Sequence, residues 1–387
     1  MRRSSIFFLV AFLSIMLAAC IKLYEPVIEQ KDAIKYVISG QVSDGEEVQI
    51  INVSVTSPIG KPRFLPVTGC SVTVIDDKGN SYIAVDAGKG DYQCYIPETV
   101  LVPGNAFKVE VTLPGGTLIA SDFDKMQFCP ELDTVYYLVK ELPTNDPEVF
   151  IKGIQFYVDL NAEGSPSRNF RWEAIETWEY HSTWPREWYY DGQIHHIWPP
   201  DYSRFVCWKT ESVKNVFTLS TENLEQNAYR LFPLHYVDNF NTSRLVYGYS
   251  LLVRQYALSE AAYAYWDKLR INSNVQGGLY EKQPLAIKGN MHNITDPGQE
   301  VLGFFGASSV SSKRIFVSNV AGLPIEYDPN CVPSEGLRKG FADIDPINYP
   351  AYMYGDFYGF VMRTLDTECV DCLTVGGTNV KPVFWPN

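Results

Sequence analysis

The sequence predicts a mainly β protein, with an N-terminal immunoglobulin-like β-sandwich followed by a larger β-rich domain carrying one or two short helices. Three observations carry this. Short segments of alternating apolar and polar residues recur, separated by Gly, Pro, Asn and Asp turn signals. The 25 Tyr, 21 Phe and 8 Trp among 387 residues are many, and with Val and Thr they favour strands. Strong helical patterning is confined to Glu260–Arg270.

Residues 1–19 read as a leader. Arg2 and Arg3 form a positive start, Ile6 to Leu17 an apolar run, and Ala18-Ala19 stand before Cys20. Small residues before a cysteine, after such a run, are the signature of a bacterial lipoprotein signal. Cys20 is the expected lipid-attachment residue and the first residue of the mature chain. Each buried methylene of an acyl chain contributes about 0.8 kcal/mol, so two or more chains anchor stably. Residues 20–33 then form a lipidated tether.

Residues 34–125 are expected to form the sandwich. Tyr36 to Val42 alternates and ends at Asp44-Gly45; Val48 to Val55 is a second strand. Cys70 to Ile75 alternates again, with Asp76 to Asn80 supplying a hairpin turn. A further strand starts at Gly90-Asp91-Tyr92, and Phe107 to Val111 alternates after the break at Pro103-Gly104. This spacing is that of an immunoglobulin-like sandwich, and the segments resemble carboxypeptidase-regulatory-like modules, which are mostly spacers.

Residues 126–387 form the second, β-rich domain. Leu132–Tyr137, Ile154–Asp159, Val246–Tyr256, Val301–Ala307 and Arg314–Val320 read as strands, with a loop from Pro143 to Pro147. Ser259 is a good N-cap for the helix Glu260–Arg270, and Glu260 suits its positive end. A shorter helix is expected from Thr221 to Ala228.

Phe170 to Trp208 holds six of the eight tryptophans and three of the five histidines. Trp172, Trp178 and Trp208 are expected in the core. Trp184, Trp188, Tyr189, Tyr190 and Trp198 are expected in an exposed loop, because Pro185, Gly192, Pro199 and Pro200 oppose regular pairing. Flat amphipathic rings make such a loop a ligand or partner surface. His181, His195 and His196 lack a metal-ligand spacing, and neither a metal nor a cofactor is expected.

Charge and motifs exclude several classes. The net charge of −13 argues against nucleic-acid binding. No nucleophile elbow, P-loop, dinucleotide fingerprint or His-Glu-x-x-His occurs, so no enzyme is expected. Pairs such as Asp343 with Asp345, or Asp366 with Glu368, arise freely among 45 acidic residues. Seven cysteines follow Cys20. An exported chain permits disulfides, and Cys70–Cys94 is the pairing expected within one sandwich. Cys369-x-x-Cys372 lacks the strand–helix setting of a redox site and suggests a structural disulfide, or one of the two joined to a distant cysteine.

The second half resembles a known family in several places. These are Cys207-Trp208-Lys209-Thr210, Tyr249-Ser250-Leu251-Leu252-Val253-Arg254-Gln255-Tyr256, Tyr265-Trp266, Gln283-Pro284, Gly289-Asn290 and Gly303-Phe304-Phe305. The closing stretches are Cys369-Val370-Asp371-Cys372, Gly376-Gly377-Thr378-Asn379 and Lys381-Pro382-Val383-Phe384-Trp385. Together they resemble the Bacteroidota outer-membrane lipoprotein family known as domain of unknown function 4249. The resemblance implies a lipid-anchored protein of the cell envelope, on either face of the outer membrane. It also implies a partner: members are often encoded beside TonB-dependent outer-membrane receptors. The function expected is therefore that of a non-enzymatic accessory or ligand-capturing partner of such a transporter. The alternative is a stand-alone surface lipoprotein that binds glycan or peptide through the aromatic loop.

Overall fold

The computed structural model describes residues 34–57, 62–144, 146, 148–240, 242–273, 287–332, 344–355 and 362–386. The leader, Cys20, the tether, Gln283-Pro284 and Asp343 lie outside the described residues. The first strands are β1 (Tyr36–Ser43), β2 (Val48–Val55), β3 (Leu65–Pro66), β4 (Ser71–Asp76), β5 (Ser81–Gly88), β6 (Asp91–Tyr95), β7 (Ala106–Thr112), β8 (Leu118–Ser121) and β9 (Asp124–Lys125). Next come β10 (Thr134–Pro143), β11 (Phe150–Asn161), β12 (Asn169–His181), β13 (Arg186–Tyr190), β14 (Ile194–Asp201), β15 (Val206–Ser212), β16 (Phe217–Ser220), β17 (Ala228–Asp238) and β18 (Gly248–Ala257). Helix α1 (Glu260–Ser273) follows, then β19 (Met291–Asn293), β20 (Phe305–Ser308), β21 (Val310–Val317), β22 (Ala351–Gly355) and β23 (Met362–Thr364). The protein is mainly β, as the alternation predicted.

The first unit is one rolled sheet in the order β19-β8-β7-β4-β5-β6-β2-β1-β20, with β3 and β9 at its margins. Alternation places Phe107, Val109 and Val111 of β7 inward, against Ile38, Ile51, Val72, Val74 and Tyr92. Two of its strands, β19 and β20, come from far down the chain. β20 runs parallel to β1, and the Ala307 N–H donates to Asp124 Oδ2 at 2.8 Å. The expected strand Val301–Ala307 starts later, at Phe305, because Gly303 turns the chain at φ 99°. A Cβ there would lie 1.9 Å from the Ile38 carbonyl oxygen, so only glycine fits. The outer face of β2, β5 and β6 exposes Val48, Ile50, Ile83, Val85 and Tyr95.

The second unit packs the sheet β10-β11-β17 on the sheet β15-β12-β18-β21, with β16 beside β12. The even-numbered side chains of β12 face inward. Trp172 meets Phe232 at 4.5 Å between ring centroids, and Phe156 stacks on Tyr249 at 5.5 Å. Trp172, Trp178 and Trp208 are all buried, as their sequence context predicted. Trp172 Nε1 donates to Gln255 Oε1 at 3.1 Å, which satisfies its one polar atom in the interior.

Helix α1 forms where expected and runs a turn further. Ser259 Oγ accepts from the Ala262 N–H at 3.1 Å, the N-cap arrangement. Tyr265 stacks on Phe304 at 5.0 Å, which seats the helix against the first unit. The expected helix from Thr221 to Ala228 does not form. Thr221 Oγ1 donates to the Arg168 carbonyl, and Asn227 Nδ2 donates to the carbonyls of Ala162 and Ser167. These side chains tie the segment to the neighbouring loop, competing with helical turns as short polar residues do.

Disulfides join Cys207 to Cys372 and Cys331 to Cys369. Both cysteines of the Cys369-x-x-Cys372 motif thus pair with distant partners. The expected Cys70–Cys94 bond is corrected: both are free thiols. Cys70 abuts β4, Cys94 lies in β6, and β5 stands between them. Two strand spacings, about 10 Å, exceed the roughly 7 Å that a disulfide spans. Burial pushes the Cys94 thiol up to about 11.

Candidate functional site

The aromatic segment forms a hairpin, not an irregular loop. β13 and β14 grow out of the pair β12–β15 and belong to a separate sheet in the order β14-β13-β22-β23. Proline is tolerated because β14 is an edge strand, where a missing N–H breaks no ladder. Asp191-Gly192-Gln193 makes the turn, with Gly192 at φ 108°.

Bonds at its base fix the hairpin to the body. The N–H groups of Thr183 and Trp184 both donate to the Cys369 carbonyl at 3.0 Å. The Cys372 N–H donates to the Arg204 carbonyl at 3.0 Å, and Arg204 Nη1 pairs with Asp371 at 2.6 Å. Arg186 pairs with Asp201 across the two strands. The Ser203 N–H donates to Asp201, and with Arg186 alongside it holds that carboxyl below its ordinary range. Both disulfides enter this region, through Cys369 and Cys372.

Register divides the five aromatics that the sequence grouped. Trp188 lies opposite His196 and stacks on it, with centroids 3.9 Å apart and planes at 12°. His196 is followed two residues later by Trp198, on the same face, at 5.9 Å. Tyr190 shares that face by alternation and meets Tyr349 edge-on at 5.4 Å. Burial and a hydrogen bond with Tyr190 push the Tyr349 phenol above its ordinary value. Tyr189 points to the opposite face and stacks on His195 at 4.6 Å. Trp184 packs near Tyr354 of β22 at 5.7 Å. Three of the five, Trp188, Tyr190 and Trp198, therefore share one surface, and Tyr189 and Trp184 do not.

That surface is a ladder of rings with an open end. Trp188 and Tyr190 are half-buried, while Trp198 is 77% exposed and Tyr202 nearby is 61% exposed. Such rings offer large apolar area with few torsions to freeze. His196 and Tyr349 are members that sequence reasoning missed. His196 was legible as the strand-alternation partner of Trp198; Tyr349 was not, because it joins from some 160 residues away. His195 and His196 sit near Asp191 and Glu187, at 2.8 and 3.7 Å. Among the described residues no group of three His, Cys, Asp or Glu is placed to hold a metal.

A second concentration of ionisable groups lies inside the second unit. Glu176, 4% exposed, takes both Arg244 Nε and Nη2 at 3.0 Å, and Tyr249 Oη donates to it at 3.1 Å. Burial alone would raise its pKa; His235 at 3.4 Å and the hydrogen bonds from Arg244 outweigh it and hold the carboxyl at about 2. Arg244 also lies over the Trp178 ring at 4.4 Å. This carboxylate is fully engaged and works as an internal strut.

The profile of the family described as domain of unknown function 4249 matches residues 21–314, three quarters of the chain. The chain belongs to the DUF4249 family. Its members' domain therefore spans the rolled sheet and most of the second unit, while β22, β23 and the half-cystines Cys331, Cys369 and Cys372 lie beyond the match. No curated protein matches the chain. Among solved structures, trypsin-activated alpha-2-macroglobulin from Escherichia coli aligns with 59% of this chain and 15% of its own, at 13% identity and TM-score 0.20. A DUF4785 family protein from Legionella pneumophila aligns with 59% of this chain and 55% of its own, at 11% identity and TM-score 0.16. The chain thus spans less than two thirds of either, and likeness at this level says nothing of function.

Proposed function

We propose that this DUF4249 protein is a non-enzymatic, lipid-anchored outer-membrane lipoprotein that serves as an accessory, ligand-capturing partner of a TonB-dependent transporter. The observation that carries the reading is the Trp188–His196–Trp198 ladder, which leaves Trp198 exposed on a disulfide-braced sheet. A braced sheet presents its rings already ordered, so a flat glycan or peptide ligand would lose little to ordering. The acyl chains expected on Cys20 would hold the ladder at the membrane, and the acidic surface gives them no help from anionic lipid.

Two measurements test this. Recovery of the protein from detergent-solubilised outer membranes should bring a TonB-dependent receptor with it; recovery of the protein alone overturns the partnership. Replacement of Trp188 and Trp198 by Ala should weaken retention on glycan or peptide ligands by about tenfold or more, the scale of one lost aromatic anchor. Strong ligand retention without any receptor would favour the stand-alone surface binder, which uses the same ladder.

A further inference from the structure

A cleft of 380 Å³ opens on the outer face of the β12–β18 sheet, away from the aromatic hairpin. It forms because β12 changes partners there. Residues 169–172 pair with β16 and residues from Ile175 pair with β15, while the connecting loop steps away over Val213–Val216. The outward side chains Arg171, Glu173 and Ile175 make the floor, with Arg254 opposite Glu173 on β18. Trp266 of α1 closes one side.

The polar groups are built in. Arg171 is 5% exposed, and its guanidinium sits over the Tyr256 and Trp266 rings at 4.6 and 4.3 Å. Its Nη1 donates to Glu173 at 3.0 Å and its Nη2 to Gln41 Oε1 at 2.9 Å. Its Nε is buried without a partner, and so is Gln41 Nε2 beside it. Buried donors without acceptors are costly and mark places where an oxygen is wanted. Arg254 lines the cleft while pairing with Glu46, and Lys214 stands exposed at the rim. The lining has three cations against one carboxylate, in a chain of net charge −13. Trp266, Ile175, Val213 and Val216 supply apolar wall, and Ser212 and Asn215 add uncharged polar groups.

We infer that this cleft binds a small organic carboxylate, with its oxygens toward Arg254 and Lys214, Arg171 behind them, and its apolar body against Trp266 and the two valines. Arg forks suit carboxylate geometry. Glu173 is kept ionised by Arg171, so the floor repels a dianion and selects a single negative charge. The volume lies at the lower end of small-molecule sites.

Calorimetric titration of the full mature protein with benzoate, 3-phenylpropionate, methyl benzoate and inorganic phosphate tests the inference. One of the two carboxylates should bind, and the neutral ester and phosphate at least tenfold more weakly. Lys214→Gln and Arg254→Gln should each weaken the carboxylate by fivefold or more; Trp198→Ala should leave it unchanged, which separates this site from the hairpin. Lys214 is exposed, so its variant decides the matter even if Arg254→Gln fails to fold. Absence of carboxylate binding, equal binding of the ester, or unaltered binding by Lys214→Gln overturns the inference.

Discussion

The rolled N-terminal sheet and the four-stranded hairpin sheet are held together in opposite ways. The first surrounds a continuous core from Ile38 to Ala307 and keeps Cys70 and Cys94 as thiols. The second buries only Met353 among the described side chains of its strands, and both disulfides of the described residues end at its base. Burial of apolar area suffices where two faces can enclose it. A single thin sheet has no second face, and there covalent links and stacked rings substitute. The difference explains why the exposed aromatics are functional candidates: rings that are not needed to fill an interior are free to meet something else.

Removing the covalent brace should break the comparison most sharply. Cys207–Cys372 closes a span of 165 residues, for which the chain-entropy relation gives about 5 kcal/mol. The variant Cys207→Ser/Cys372→Ser should lose about that much in denaturant unfolding. Limited proteolysis should then cut within residues 184–203 while the rolled sheet stays intact. Uniform loss of both regions would show that they are not held independently.

Next in size is the core itself. Trp172→Ala removes a side chain 1% exposed and orphans the Gln255 amide oxygen it bonds. The expected loss is about 3–5 kcal/mol, measured by the shift of the unfolding midpoint at constant slope. A loss under about 1 kcal/mol would mean that the second unit does not depend on burial as the first does.

These contrasts also show what was legible in the sequence. Period-two alternation made β4, β6 and β7 readable, because each has one face in a core. The tryptophans of β12 and β15 were readable for the same reason. The hairpin was hidden behind Pro199 and Pro200, since a breaker in a central strand is harmless on an edge. Its other partner, β22, follows 150 residues later, and no local pattern announces such a pairing. The disulfides were hidden too: spacing places Cys70 and Cys94 in one unit, but only the strand order reveals β5 between them. The cleft was hidden as well: it opens where β12 passes from β16 to β15, and Gln41 supports its Arg171 from 130 residues away, neither of which periodicity can show.

The buried strut gives a prediction with a pH signature. Glu176 is held at about 2 against an ordinary 4.5, because its partners outweigh the burial that would raise it. A depressed carboxyl contributes stability that is present above 4.5 and lost as pH falls towards 2. That contribution is roughly 3 kcal/mol for a shift of this size. Glu176→Gln should therefore be less stable than the wild type at pH 7, and the gap should close as pH falls through that window. A gap independent of pH would locate the loss in packing instead of in the ion pair with Arg244.

The smallest effect is the most discriminating for function. Trp198 is 77% exposed, and among the described residues its one ring neighbour is His196 at 5.9 Å, so Trp198→Ala removes little buried area. Unfolding should move by no more than about 0.5 kcal/mol, the range of surface substitutions. Trp172→Ala and Trp198→Ala delete the same chemical group, so the ratio of their effects measures how far each ring is committed to the fold. A ring that costs almost nothing in stability and a large factor in ligand retention is one the fold holds out for binding. If Trp198→Ala instead destabilised as much as Trp172→Ala, the ladder would be part of the packing, and the binding role assigned to this face would fall with it.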